Sequence, residues 1–347
     1  MIVIAFGTRP EWIKIKPVVD AIDGKIPFKL LFTGQHTSLI DSSMSNYVYE
    51  SIKIEEGECD NRLDEIVCSI LKQFGKRNNY PSSKWTRECS AVMVQGDTTS
   101  AFAVAMAAFH SKIPVIHLEA GLRTFDKYNP YPEEFNRTAI SAMADIHLCP
   151  TATSVENIVR CSTDTSSVHL VGNTVLDALL GHPSKSEDFI LVTLHRRENH
   201  DQIESWFKEI DKLAASSDLD FVLPIHPNPS VNKYRHILKH VKVIDPLPYA
   251  SCIDMVSRCK FVITDSGGLQ EESSFFGKRC IVCRKVTERV EGMGDFAFMC
   301  GDPSDLPLVF DFVCSSETDF VDLPCPYGDG KSAEKITEIL NDFYTRS

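Results

Sequence analysis

At 347 residues, with 43% hydrophobic and 24% charged side chains, the chain has the composition of an ordinary soluble globular protein and is long enough for about two domains that each bury a core. A formal net charge of −12 argues against nucleic acid or an anionic membrane surface as the main partner, while leaving room for an anionic small molecule where basic groups gather locally. No stretch approaches the roughly 20 apolar residues that span a bilayer, and Met1 to Phe6 enters a strand with no basic region before it, so no signal peptide and a cytoplasmic protein are expected.

Met1 to Phe6 reads as a buried strand, and Gly7-Thr8-Arg9-Pro10-Glu11 turns it into a helix from Trp12 to about Ile22. Such a turn offers backbone N–H groups and the positive end of a helix dipole to an anion, and Arg9 and Lys14 add two cations at the same mouth. The dinucleotide fingerprint G-x-G-x-x-G and the Walker pattern are both missing, which argues against nicotinamide or ATP chemistry.

A second strand, Phe28 to Phe32, ends in the polar cluster Thr33-Gly34-Gln35-His36. A charged helix from about Arg62 to Phe74 leads into a turn-rich surface excursion, Lys76 to Ser90. Ala91 to Val94 is a central strand that stops at Gln95-Gly96-Asp97, ahead of a small-residue helix, Ala101 to Phe109. Asp97 fits either a helix-capping role or acid–base work at a strand end.

The apolar run Ile113 to Ile116 predicts another buried strand, followed by His117-Leu118-Glu119-Ala120-Gly121-Leu122-Arg123 and, after Asn129-Pro130 and Tyr131-Pro132, a helix from Glu134 to about Ala144. In an open parallel sheet that strand end is the edge where ligands bind, and it carries the carboxylates Glu119, Glu133 and Glu134 with Arg123 and Arg137. Ile146 to Cys149 is the next strand. Val168 to Asn173 reads as a hinge that opens a helix from Thr174 to Leu180. Alternating strands and helices predict a doubly wound parallel α/β sheet.

A second alternating unit begins at Phe189 to Thr193 and ends in His195-Arg196-Arg197. Phe221 to Ile225 stops at His226-Pro227-Asn228-Pro229. Val243-Ile244, a helix of about Ser251 to Ser257 and a strand from Phe261 to Thr264 precede Asp265-Ser266-Gly267-Gly268. Two glycines at a helix start let backbone N–H groups close on phosphate oxygens, and Glu272, one turn on, suits a ribose diol. Ile281-Val282 is a further strand, and Ser332 to Phe343 a final amphipathic helix. The expected domains are residues 1–170, residues 171–330 and a C-terminal helix within 331–347 that packs back on the first, with the two larger domains facing a cleft. The twelve cysteines are scattered, and Cys280-Ile-Val-Cys283 has no second pair, so most are expected to be small buried hydrophobes with no metal role.

GTRPEWIK from Gly7, TGQH from Thr33, VQGDTTS from Val94, HLEAGLRT from His117, YPEEFNR from Tyr131, VGNTVLDAL from Val171, HRREN from His195, HPNP from His226, TDSGGLQEE from Thr264 and TER from Thr287 together resemble the non-hydrolysing UDP-N-acetylglucosamine 2-epimerases. The resemblance covers most of the chain in the family's order. It implies two Rossmann-like doubly wound domains in the glycosyltransferase-B arrangement, no cofactor, no metal, a UDP-sugar substrate and a homodimer. It implies elimination of UDP from C1 and C2 of the sugar to a 2-acetamidoglucal, then re-addition with C2 inverted. Asp97, Glu119 and Glu133 become the acid–base set, with His195, Lys14 and Arg137 in the catalytic surroundings. Arg9, His195, Ser266, Gly267, Gly268 and Glu272 become the UDP-sugar contacts. Gln35, His36, Arg196 and His226 match the family's second, activating UDP-sugar site, but Ser38 replaces a usual glutamine and Asn61 to Gln73 lacks the arginine-bearing loop, so weak or lost activation is expected.

The family's R-D-T-T-E-R-P-E reads Arg284 to Glu291 as RKVTERVE here. That departure keeps open a UDP-2-acetamido-2,6-dideoxy-L-hexose as substrate. A hydrolysing epimerase, a UDP-sugar glycosyltransferase of the same fold and a non-catalytic nucleotide-sugar binder are the other readings, since fold does not fix function.

Overall fold

The computed structural model describes residues 1–35, 44, 46–57, 59–74, 89–161, 167–315 and 318–346. His36, Ser38 and nearly all of the expected excursion from Lys76 to Ser90 lie outside them.

β1 (Ile2–Phe6) is apolar and buried at every position, as a strand covered on both faces must be. It pairs in parallel with β2 (Phe28–Phe32) on one side and β4 (Ala91–Gln95) on the other. With β3 (Tyr49–Ser51), β5 (Val115–Leu118), β6 (Ile146–Cys149) and β7 (Val168–Leu170) the order is β3-β2-β1-β4-β5-β6-β7, parallel throughout. The helices are α1 (Arg9–Ile22), α2 (Arg62–Phe74), α3 (Thr99–His110), α4 (Glu133–Met143) and α5 (Ala152–Cys161).

The side-chain period of two divides the core cleanly. Ile2, Ile4 and Phe6 of β1 and Met93 of β4 pack with Trp12, Ile15 and Val19 of α1. Val3, Ala5, Val92 and Val94 face the other way, onto Ile66 and Ile70 of α2 and the alanines of α3. Helices therefore cover both faces, and the strand order reverses between β1 and β4.

The second sheet repeats the plan with β8 (Phe189–Thr193), β9 (Asp220–Pro224), β10 (Lys242–Ile244), β11 (Phe261–Thr264), β12 (Cys280–Val282) and β13 (Ala297–Met299), in the order β10-β9-β8-β11-β12-β13. Its helices are α6 (Ile203–Ser216), α7 (Pro229–Asn232), α8 (Tyr249–Arg258), α9 (Gly267–Phe275) and α10 (Leu306–Cys314). Trp206, Phe207, Phe221, Phe261 and Phe310 anchor its core, and here the order reverses between β8 and β11.

The chain forms two compact units, Met1–Ala178 with Gly330–Ser347, and Leu179–Asp329. The first boundary thus falls after Ala178 and not at residue 170, because Val171 belongs to the first unit's core and Val175 and Leu176 are buried. The final helix, α11 (Ser332–Arg346), lies in the first unit, where Ile336 and Leu340 join the cluster that contains Ile15 and Val18.

Several boundaries differ from the sequence reading. α1 starts at Arg9, since the Thr8 hydroxyl caps it by accepting from Glu11 N. β5 starts at Val115 because Pro114 has no N–H for the ladder, and its pairing with β4 and β6 continues through His117 to Leu118. The helix expected from Thr174 to Leu180 is one 3-10 turn, Leu176–Leu179. The sequence reading contains no β3, α5, α6, α7, β13 or α10. Only five of the twelve cysteines, Cys149, Cys259, Cys280, Cys283 and Cys300, are buried, which corrects the expectation that most would be.

Candidate active site

Ligands of doubly wound sheets lie off the carboxyl ends of the strands where the order reverses. In the first unit that point is flanked by the loops leaving β1 and β4, with the end of β5 beside them.

Glu119 follows β5 with φ +65°, a left-handed conformation that few non-glycine residues adopt. Its carboxylate is ion-paired with Lys14 Nζ from α1 and accepts from Gln95 Nε2 at the end of β4. Asn173 Nδ2, just past β7, donates to Glu119 Oε1 at 3.1 Å. Elements far apart in sequence thus hold one carboxylate in place.

Asp97, on the loop after β4, is held from α4. Arg137 donates to Asp97 Oδ2 through Nε at 3.1 Å and also through Nη2, and Asn136 Nδ2 donates to the Asp97 carbonyl at 2.9 Å. His117, fully buried, bonds the Gly96 carbonyl through Nε2 at 2.8 Å and so fixes the turn between Gln95 and Asp97. Burial drives its pKa down to about 3, so the ring is neutral.

Glu133 and Glu134 open α4, and geometry separates them. Glu134 accepts from Thr124 N and Phe125 N, both at 3.0 Å, and pairs with Arg137 Nη1 at 2.9 Å. That carboxylate is spent on folding the loop 122–125. Arg123 is similarly structural, donating to the Leu122 carbonyl and to Ser141 Oγ. Glu133 is the first residue of α4 and half-buried.

Lys14, Asp97, Glu119 and Arg137 are therefore brought into two ion pairs at one sheet edge. Arg9 stands at the N-terminus of α1. Of the second-site candidates, Gln35 Oε1 accepts from Ser100 N at 3.1 Å in this unit, while Arg196 and His226 lie in the other.

In the second unit the reversal falls between β8 and β11, and Asp265 ties the two strand ends together. Its Oδ2 accepts from His195 N at 2.9 Å, Arg196 N at 2.8 Å and Asn199 Nδ2 at 3.0 Å. The His195 ring stacks on His226 with centroids 5.2 Å apart. Burial lowers the pKa of His195, against a smaller opposing pull from Asp265. Burial also lowers that of His226, helped by His195. Both imidazoles are neutral donors and acceptors near neutral pH.

α9 begins at Gly267 with Ser266 as its N-cap, whose side chain makes no cap hydrogen bond. A Cβ at Gly267 would fall 2.5 Å from Nη1 of Arg289. That guanidinium is buried and ion-paired with Glu271, at 2.7 Å, and with Glu288. Gly268 has open space, its nearest such neighbour being Ser266 Oγ at 4.0 Å. Glu272 Oε1 accepts from the Tyr249 hydroxyl at 2.7 Å, and burial together with Glu272 raises the phenol's pKa, so the hydroxyl is a constant donor.

The model of the family described as UDP-N-acetylglucosamine 2-epimerase matches residues 21–341. A UDP-N-acetylglucosamine 2-epimerase of Campylobacter jejuni is 34% identical over 376 residues, covering 98% of this chain and 97% of the relative. This chain belongs to the UDP-N-acetylglucosamine 2-epimerase family. Epimerases are isomerases, so family membership makes it a carbohydrate isomerase. The UDP-GlcNAc 2-epimerase of Neisseria meningitidis, solved bound to UDP-GlcNAc, is 31% identical with a TM-score of 0.87, over 98% of this chain and 99% of that one. The Methanocaldococcus jannaschii UDP-GlcNAc 2-epimerase, solved with UDP-GlcNAc and UDP, is 27% identical with a TM-score of 0.81, over 98% and 99%.

Five residues that hold the candidate side chains carry no individual role in the sequence reading: Gln95, Asn136 and Asn173 in the first unit, and Tyr249 and Asp265 in the second. The available signal is position alone: Gln95 ends the buried strand β4, Asp265 directly follows the buried strand β11, and Asn173 lies three residues past β7. Among the described residues no group of three or more His, Cys, Asp or Glu side chains is placed to hold a metal ion, and no helix is long and apolar enough to cross a membrane.

Proposed function

We propose that this protein is a non-hydrolysing 2-epimerase that interconverts UDP-N-acetylglucosamine and UDP-N-acetylmannosamine, or a closely related UDP-2-acetamido sugar. The observation that carries the reading is the pair of clasped carboxylates, Glu119 with Lys14 and Asp97 with Arg137, at the switch point of the first sheet. The relatives' names and the UDP-GlcNAc held by the Neisseria structure supply the substrate class.

Inverting C2 requires proton removal on one face of the sugar and delivery on the other, so a set of carboxylates fits better than one. A base drawn from Asp97, Glu119 and Glu133 takes the C2 proton as the C1–O bond breaks, and UDP leaves with the bonding electrons. The 2-acetamidoglucal waits while water is excluded. A second member of the set then protonates C2 from the opposite face, and UDP returns to C1. Lys14, Arg137 and His195 support the charge that moves during these steps. Arg9, His195, Ser266, Gly267, Gly268 and Glu272 hold UDP: cations and N–H groups on the diphosphate, the carboxylate on the ribose. By the same family reasoning the protein is a cytoplasmic homodimer, and Gln35, His36, Arg196 and His226 form at most a weak second site; clearly sigmoidal saturation would overturn the latter.

The deciding experiment is proton NMR of the purified protein with UDP-N-acetylglucosamine in deuterium oxide. Appearance of the manno epimer with deuterium at C2 of the UDP-linked sugar is expected. Release of free N-acetylmannosamine would instead make it a hydrolysing enzyme. No exchange with this or with 6-deoxy UDP-acetamido sugars would overturn the reading.

A further inference from the structure

Both units carry helix N-termini at a sheet reversal, the place where doubly wound folds receive phosphate. In the first unit that place is already taken by a side chain. Glu11, in the first turn of α1, is 1% exposed. Its Oε2 accepts from Gly7 N at 2.9 Å, and its Oε1 accepts from Thr98 Oγ1 at 2.7 Å. Thr8 and Thr98 are the N-caps of α1 and α3: the Thr8 hydroxyl accepts from Glu11 N, and the Thr98 hydroxyl from Ala101 N at 3.1 Å. One carboxylate therefore joins the capping turns of both helices that flank the reversal.

The bland account is a capping box, Thr8-x-x-Glu11. A capping box accounts for one oxygen turned back to the start of the helix, here to Gly7 N, one residue before the cap. It does not explain the second oxygen, which crosses to the loop that carries Asp97. The surroundings are built around this bridge, since a Cβ on Gly7 would lie 2.6 Å from Ser100 Oγ, itself 3.1 Å from Thr98 Oγ1. The second unit contrasts with this, because no cap hydrogen bond comes from the side chain of Ser266 at the N-terminus of α9.

We propose that Glu11 is a positioning residue that acts as a built-in anion. It fixes the Arg9 turn against the Asp97 turn, and it keeps substrate phosphate off the backbone amides of the first unit. The diphosphate is thereby directed to α9, and the first unit contributes only the Arg9 side chain to it. Two units of one plan so divide the work: proton chemistry in one, nucleotide in the other. This inference rests on the epimerase reading above.

The test compares wild type with E11A, E11Q, T98V and T98S, following C2 deuterium exchange, UDP affinity by calorimetry and inhibition by inorganic pyrophosphate. E11A and T98V break the bridge and should lose at least about 10-fold in kcat, the scale of a small misplacement of reacting groups. Their affinity for UDP should stay within about twofold, well under the scale of a lost charged hydrogen bond. T98S keeps the hydroxyl and should restore turnover. E11Q, which lacks the charge, should become sensitive to pyrophosphate at concentrations that leave wild type unaffected. T98V with wild-type kcat would overturn the positioning role, even if E11A fails to fold. UDP affinity falling in step with kcat, or unchanged pyrophosphate inhibition in E11Q, would overturn the anion role. A wild type that binds UDP but never exchanges C2 would instead strike the epimerase reading on which the proposal rests.

Discussion

Lys14, on the first helix, and Glu119, at the end of the fifth strand of the first sheet, form an ion pair whose side chains are 12% and 9% exposed. Two opposite charges withdrawn this far from water need each other, because removing one partner leaves the other desolvated and alone. The left-handed backbone at Glu119, φ +65°, and the donors Gln95 and Asn173 hold that carboxylate in one orientation. Strain and pre-orientation of this kind gather at functional sites.

Glu119→Gln and Asp97→Asn should each retain UDP binding and lose turnover by at least about two orders of magnitude, the usual scale for acid–base catalysis. Calorimetry with UDP and the exchange rate at C2 separate the two effects. A near-normal rate in either variant would remove that residue from the chemistry.

Gly267→Ala should destabilise the second unit by about 1–3 kcal/mol, the range for overpacking, because its methyl would meet a guanidinium already held by Glu271 and Glu288. Gly268→Ala meets no such atom and should leave the melting temperature nearly unchanged. Thermal unfolding of the two variants side by side checks the contrast, and equal losses would contradict it.

Tyr249→Phe removes the hydroxyl that donates to Glu272 at 2.7 Å. If Glu272 serves the ribose, UDP affinity should fall about 3- to 10-fold, the equivalent of one hydrogen bond, while 2′,3′-dideoxy-UDP, lacking the diol, should bind wild type and variant alike. Calorimetry with both ligands decides.

His117 gives the first unit a pH dependence whose sign is fixed by burial. Above the ordinary value of 6.5 the ring is neutral in both folded and unfolded chains, and stability is complete. As pH falls from 6.5 toward the folded value of about 3, the unfolded chain takes a proton that the folded one refuses. Stability should therefore drop, by up to about 1.4 kcal/mol per pH unit for one such group. Urea midpoints measured between pH 7 and 4.5 should fall with acid, and fall less steeply in His117→Gln; identical slopes would show that His117 is not the group responsible.

Much of the fold is legible in the chain because a parallel strand buried on both faces is apolar along most of its length. Ile2 to Phe6, Ala91 to Val94, Phe189 to Thr193 and Phe261 to Thr264 therefore announce themselves. Short edge strands such as Tyr49–Ser51 and Ala297–Met299 do not, since three residues carry too little pattern. Pro114 shifted the start of the fifth strand for a local reason, a missing N–H, that could have been used. The turn Leu176–Leu179 could not have been foreseen from periodicity: Asn173 Oδ1 accepts from Val175 N at 3.2 Å, and its amide reaches Glu119.

The sequence by itself determined the two alternating α/β units, the glycine-opened helix at Gly267 and the strand-end carboxylates, because each depends on residues close together along the chain. Only the tertiary structure decided that Glu134 is spent on the loop at Thr124 while Asp97 and Glu119 take Arg137 and Lys14 as partners. Only it revealed that Glu11 joins two helix caps. Those outcomes depend on which strands become neighbours, and strand order is fixed by packing both faces of the whole sheet.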